Sequence, residues 1–142
     1  MSVTLAQAST IVDTALKKGR ETHCAPLTVA VLDAGGHLVA FKREDKSGIL
    51  RFDIAFGKAW GALGMGFGSR ELAERAGKNP LFFGVLATVS QGRLVPVPGG
   101  VLIKDADAVL GAVGISGDTS DKDEVCAVTG IEAAGLKAVV GA

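Results

Sequence analysis

Residues 27–43, LTVAVLDAGGHLVAFKR, contain two apolar runs on either side of a glycine pair. The first run, 27–33, is apolar at nearly every position, which is typical of a strand covered on both faces. Residues 34–36, Ala-Gly-Gly, supply the backbone freedom of a tight turn, and 37–43 has the pattern of a return strand. We therefore predict an antiparallel β-hairpin here, followed by a charged loop at 44–48.

The sequence on both sides of this hairpin predicts further helices and strands. A capping box from Thr4 to Gln7, followed by apolar residues at helical spacing, predicts an amphipathic helix over 5–22. The patterns downstream predict helices over 49–67 and 69–76, an irregular stretch over 79–100, strands at 101–103 and 109–115, and a last helix over 121–134. Hairpin-linked strands with helices grouped between them favour an α+β fold with one central antiparallel sheet, in a single domain over 1–142.

Composition and charge exclude several classes of protein. The 142 residues include 15 Lys and Arg against 15 Asp and Glu, so the net charge is zero. This removes the electrostatic attraction on which binding to nucleic acids and anionic membranes depends, and we expect neither partner. No run reaches the ~18 apolar residues of a membrane span. The first residues lack the basic and apolar regions of a secretory signal, so we expect a cytoplasmic protein.

Glycine and cysteine carry further information. The chain has 20 glycines, about twice the usual share of about 7%. Gly57, Gly61 and Gly64 share one face of the predicted helix, which favours close packing against another backbone. The two cysteines, Cys24 and Cys126, form no CxxC motif, and we interpret them as small buried hydrophobic residues.

The two histidines are candidate metal ligands. His37 follows the glycine pair, where it would project from the end of a strand and could bind a haem iron or transfer a proton. The alternative is an exposed turn histidine. His23 lies at the end of the first helix and is a second candidate axial ligand, although the helix dipole alone also favours histidine there.

Two glycine-containing segments form a second candidate site. Gly99-Gly100 precedes one predicted strand and Ser116-Gly117 follows the next, and across an antiparallel pair these segments lie at the same end. Their bare N–H groups could bind a small anion, with Arg43 and Lys58 as donors to a carboxylate. Asp123, near the start of the last helix, could carry a proton. Ordinary turns, solvated charges and helix capping are the structural alternatives.

Several of these segments resemble one known family in the right order along nearly the whole chain. They are VLDAGGHLVAFKR at 31–43, Asp53-Ile54-Ala55 with Lys58-Ala59, Gly99-Gly100-Val101, GAVGISG at 111–117, and Asp123-Glu124. The chain is similar to the GlcG/HbpS-like, or haem-degrading-domain, family, which includes the C-terminal domain of PduO-type corrinoid adenosyltransferases. It lacks the proline that members often carry after the glycine pair, and has Trp60-Gly61 where they often have an aromatic residue and Thr. Both differences alter the expected pocket.

The resemblance implies a fold and a set of functions. The expected fold is profilin-like, a five-stranded antiparallel sheet flanked by helices, assembled as a homo-oligomer from dimer to octamer. The expected function is binding of a small ligand, haem or a related tetrapyrrole, with assistance to its turnover. Two alternatives stay open: a small catabolic enzyme (isomerase, tautomerase or lyase) acting on an organic acid, and a non-catalytic oligomeric accessory module.

Overall fold

The computed structural model describes residues 1–142 and contains five helices and five strands. In chain order they are α1 (Leu5–Glu21), β1 (Thr28–Asp33), β2 (Leu38–Arg43), α2 (Leu50–Met65), α3 (Ser69–Lys78), α4 (Pro80–Val89), β3 (Gly100–Asp105), β4 (Ala108–Ser116), α5 (Ser120–Ala133) and β5 (Lys137–Val139). The strands form one sheet in the order β2-β1-β4-β3-β5, and every neighbouring pair is antiparallel. The predicted α+β class with a five-stranded antiparallel sheet is confirmed.

Helices cover both faces of this sheet. Val29 and Val31 of β1 belong to a large core cluster with residues of α1 and α5, whereas Leu32 packs in a smaller cluster with residues of α2. All three side chains are fully buried. Two buried faces explain why β1 is apolar at successive positions rather than at alternate ones. Cys24 and Cys126 are both free thiols buried in the large cluster.

Glycines allow α2 to lie close to its neighbours. A Cβ on Gly114 of β4 would collide with the carbonyl oxygen of Ala55, so α2 lies directly on the strand backbone. A Cβ on Gly57 would stand 2.5 Å from the carbonyl oxygen of Arg93, and one on Gly61 would stand 3.2 Å from Leu94. The close-packing interpretation therefore holds for these two positions of the glycine stripe, whereas Gly64 has no such neighbour within 4 Å.

Two elements differ from the sequence-based expectation. The stretch 79–100 was expected to be irregular, which is wrong, because Pro80–Val89 forms α4 with Asn79 as its N-cap and Pro80 in its first turn. This helix is apolar on nearly every side, so it shows no amphipathic period. The short edge strand β5 was also missed, since three residues give too little alternation. Neither α4 nor any other helix is long and apolar enough to cross a membrane.

Candidate functional site

The β1–β2 turn holds His37 in a defined orientation. Asp33, the last residue of β1, accepts hydrogen bonds at Oδ1 from the backbone N–H groups of Gly35 and His37, each at 2.9 Å. The same oxygen lies 3.1 Å from Nδ1 of the His37 ring. These bonds, the backbone one from His37 above all, lower the pKa of Asp33. The His37 side chain is 81% exposed, and its Nε2 makes no hydrogen bond within the protein.

A cavity lined by apolar side chains and glycine backbone lies beside this turn. It has a volume of about 210 Å³ and is lined by Ala34, Gly35, Gly36, Trp60, Leu63 and Gly64; we call it the hairpin-tip cavity. Gly36 has φ +83°, a left-handed conformation that favours glycine, and its missing Cβ would stand 3.5 Å from the Trp60 ring. The His37 ring lies against Gly35, with Cε1 2.9 Å from the position of a Cβ there. The Arg93 guanidinium stacks on Trp60, 4.2 Å from the ring centroid.

A second cluster of functional groups is closed inside the protein. Lys58 of α2 donates from Nζ to the carbonyl oxygen of Ile115 at 2.8 Å and to Asp123 Oδ2 of α5 at 3.2 Å. The side chains of Lys58 and Asp123 are only 3% and 1% exposed. Asp123 also accepts at Oδ1 from the backbone N–H of Asp118 at 3.1 Å. This buried ion pair joins a helix on one face of the sheet to a helix on the other.

Burial dominates the electrostatics of the pair. It lowers the pKa of Lys58 and raises the pKa of Asp123, because each charged form loses its hydration. The attraction between the two groups acts in the opposite direction on each pKa. The pair is therefore a costly internal contact that geometry and hydrogen bonding must sustain.

The two glycine-containing segments meet at one end of the sheet, as antiparallel pairing predicts. Gly99 accepts from the backbone N–H of Ile115 at 3.1 Å. The space between the segments is occupied by the chain itself, because a Cβ on Gly99 would stand 2.9 Å from Lys58 Nζ. The N–H of Gly100 donates to Ser69 Oγ at 2.7 Å. Two of the donors expected to bind an anion, the N–H of Gly100 and the ammonium of Lys58, are therefore engaged within the protein.

The other residues of this segment pair also have partners within the protein. Ser116 accepts at Oγ from Arg51 at 3.1 Å. Gly117 lies so close to the carbonyl oxygen of Pro26 that a Cβ there would collide with it. Both residues therefore fill structural positions at this end of the sheet.

The candidate residues predicted from the sequence lie at three separate places. His37 follows one end of β1, while His23 precedes the other end, with the length of a six-residue strand, about 20 Å, between them. Arg43 pairs with Thr28 at the His23 end, where it lines a polar surface depression. Asp123 is buried against Lys58. His37, Arg43 and Asp123 thus share no cavity, and no group of three or more metal-ligating side chains occurs.

Two residues of the hairpin tip, Asp33 and Arg93, were not singled out by sequence reasoning, whereas Trp60 was noted as a departure from the family pattern near the expected pocket. Asp33 had a signal, since an Asp that opens a tight turn often accepts from the backbone two residues on. Arg93 had none, because it lies far from the hairpin in sequence and reaches it only by stacking on Trp60 of α2.

Comparison with known proteins identifies relatives along nearly the whole chain. The profile of the family described as "Haem degrading protein HbpS-like" matches residues 3–132. A 15.0 kDa protein from the dhaT-dhaS intergenic region of Citrobacter freundii is 29% identical over 131 residues, covering 92% of this chain and 91% of that protein. The corrinoid adenosyltransferase PduO of Citrobacter freundii is 26% identical over 96% of this chain, which spans only 40% of PduO.

Solved structures agree with the fold. ORFY of Klebsiella pneumoniae superposes with a TM-score of 0.86 at 28% identity, covering 94% of this chain and 90% of ORFY. A PduOC:heme complex gives a TM-score of 0.87 at 24% identity, covering 96% of this chain and 97% of that one. A double mutant of HbpS from Streptomyces reticuli gives 0.80 at 24% identity, covering 93% and 86%. At their identities the last two structures establish a shared fold alone. The profile match over residues 3–132 shows that the chain belongs to the HbpS-like family.

Proposed function

We propose that this protein binds haem or a related tetrapyrrole at the hairpin tip, with His37 as the iron ligand. The observation that carries the proposal is the Asp33–His37 contact beside the hairpin-tip cavity. An ionised carboxylate on Nδ1 favours the tautomer that keeps the proton there, which leaves the lone pair of Nε2 for a metal. The lowered pKa of Asp33 keeps the carboxylate ionised at neutral pH.

The residues around the cavity fit one face of a tetrapyrrole. Such a ligand needs an iron ligand, apolar surface for the ring and cations for its carboxylates. Trp60 and Leu63 supply apolar surface, and Gly64 leaves open space where a side chain would stand. Arg93, stacked on Trp60, supplies a guanidinium at the edge. When bound, the iron would supply redox and oxygen chemistry that the side chains lack.

The size of the cavity bears on the role of the site. Its volume of about 210 Å³ is below the ~300 Å³ at which pockets begin to enclose a drug-sized ligand. A tetrapyrrole held by His37 would therefore keep much of its second face open to solvent or to a partner. Such exposure suits a protein that holds the ligand for transfer or turnover better than one that stores it.

The relatives support the ligand class. The family is described as haem-degrading, and a structural neighbour was solved as a PduOC:heme complex. The organic-acid enzyme receives less support, because His37, Arg43 and Asp123 do not converge and Lys58 is engaged with Asp123.

The proposal is tested by titrating purified apo-protein with haemin while following the Soret band. We expect saturable binding of one haemin per chain. We expect His37→Ala to lose the ligand-dependent spectrum and Asp33→Asn to keep it with about 10- to 100-fold weaker binding, as for other partners of metal-ligating histidines. His23→Ala, which removes the other exposed histidine, is the matched control and should titrate like the wild type. An unchanged spectrum in His37→Ala would refute ligation by this residue.

The proposal extends to self-association, since the chain exposes two separate apolar surfaces. One lies on α4, where Leu81, Val85 and Val89 are exposed. The other includes the edge strand β2 and the residues after it, with Leu38, Phe41, Ile49 and Leu50 exposed. Oligomers that are larger than a dimer and have dihedral symmetry use more than one kind of interface. We expect a homo-oligomer, from dimer to octamer, by light scattering, and a smaller mass for Val89→Asp or Ile49→Asp. A monomer at micromolar concentration would refute this extension.

A further inference from the structure

A further cavity lies where three helices meet. The end of α2, the end of α3 and the start of α4 enclose about 280 Å³, which we call the α3–α4 cavity. It is lined by Met65, Arg75, Lys78, Asn79, Phe82 and Phe83. None of these residues lines the hairpin-tip cavity.

The floor of the α3–α4 cavity is apolar and partly aromatic. The rings of Phe82 and Phe83 are perpendicular, with their centroids 5.7 Å apart. Phe83 is buried, while Phe82 keeps 46% of its surface exposed. Met65 adds a polarisable thioether, a group that packs well against aromatic rings. A flat aromatic ligand would therefore find both ring faces and ring edges to contact.

The rim of the cavity carries positive charge. The Arg75 side chain is fixed in place, because its Nε donates to Glu71 Oε1 at 3.0 Å and its guanidinium stacks on Phe67 at 3.9 Å. Lys78 forms no ion pair with any carboxylate within 4 Å, so its charge is uncompensated at close range. The Asn79 side chain, which caps α4, adds a polar amide beside it.

From this arrangement we propose that the α3–α4 cavity binds a small aromatic carboxylate. The ring would pack on Phe82, Phe83 and Met65, and the carboxylate would lie near the ammonium of Lys78. The volume, close to the ~300 Å³ lower end of ligand pockets, limits the ligand to one or two fused rings. The unpaired charge of Lys78 distinguishes an acid from a neutral ring of the same shape.

The test uses 1-naphthoate as the probe and full-length protein without haem, with binding followed by calorimetry. We expect saturable binding of one probe per chain, and clearly weaker binding of the neutral analogue 1-naphthalenemethanol. Lys78→Gln should weaken naphthoate binding about three- to fivefold, the range of a partly exposed ion pair. Phe82→Ala should weaken the binding of both compounds about tenfold, since it removes a ring from the floor.

Matched variants separate this site from non-specific binding and from the haem proposal. Lys137→Gln removes another exposed lysine, and Val97→Ala truncates an exposed apolar side chain that lies outside both the cavity and the α4 surface. Both should bind naphthoate like the wild type, as should His37→Ala. The proposal is overturned by absence of saturable binding at millimolar probe, by equal affinity for the neutral analogue, or by equal losses in the control variants. None of these outcomes depends on whether haemin binds at His37.

Discussion

Replacing Lys58 by Met should strongly destabilise the protein. Met has a similar apolar stem but no charge, so Asp123 loses its partner while remaining 1% exposed. Removal of one member of a buried ion pair typically costs about 3–5 kcal/mol, because the other charge stays buried and uncompensated. This is a large part of the 5–15 kcal/mol by which domains are usually stable.

The destabilisation should depend on pH in a defined direction. Burial already raises the pKa of Asp123, and the loss of Lys58 removes the main influence that lowers it. The folded variant then binds a proton more readily than the unfolded chain, whose Asp titrates near pH 4. The free energy of unfolding of the Lys58→Met variant should fall as the pH rises from about 4 towards the pKa of Asp123 in the folded variant, by up to about 1.4 kcal/mol per pH unit. The difference in free energy of unfolding between the wild type and the variant should therefore become smaller as the pH is lowered.

Urea denaturation of a double-mutant cycle measures the effect. Asp123→Asn alone should also be destabilising, whereas the combined variant should be less destabilised than the sum of the two, with a coupling of about 2 kcal/mol or more. Lys42→Met is the matched control: Lys42 pairs with Asp13 at 2.7 Å, but both side chains are 60% exposed. Lys42→Met should lower the free energy of unfolding by less than about 1 kcal/mol. Additive effects of Lys58→Met and Asp123→Asn, or a cost that grows on acidification, would refute the reasoning.

Two further predictions concern glycines and thiols. Gly114→Ala should lower the free energy of unfolding, measured by urea denaturation, by about 1–3 kcal/mol, because its Cβ would collide with Ala55. Gly77→Ala is the control: a Cβ there has nothing within 4 Å, so it should stabilise the protein by about 0.4–1 kcal/mol. Equal effects of the two substitutions would contradict the packing of α2 on the sheet. Burial, together with the neighbouring thiol of Cys24, raises the pKa of Cys126 to about 12. Iodoacetamide at pH 8 should therefore label Cys126 in urea but not in the native protein, as measured by mass spectrometry. Rapid labelling of the native protein would show that this thiol is accessible.

Local patterns predicted much of the fold. The capping box at Thr4 and Gln7 is present, and α1 ends within one residue of the expected position. The hairpin was predictable because the apolar run of β1 and the glycine pair act over a few neighbouring residues. The strands β3 and β4 were located for the same reason, although the structure extends both.

The functional groups were harder to place because their partners are distant in sequence. Lys58 lies in a glycine- and aromatic-rich helix, a poor environment for a solvated charge, but nothing local connects it to Asp123. Asp123 had a sufficient local explanation in the helix dipole. Phe82 and Phe83 lie in the stretch 79–100 that was expected to be irregular, so nothing in the sequence indicated the cavity that they form with α3. In each case the deciding contact joins elements that only the tertiary fold brings together.

The strand order also has a consequence for synthesis on the ribosome. Strand β1 is paired on one side with β4, and α1 packs against α5, so elements made early in this fold are completed by elements made late in it. Until those partners emerge, β1 has β2, α1 and α2 beside it, but its edge facing β4 is unpaired and the core that α5 completes is open. A nascent chain of this topology therefore leaves one edge of a buried strand unpaired until β4 is made, and an unpaired apolar strand edge favours aggregation.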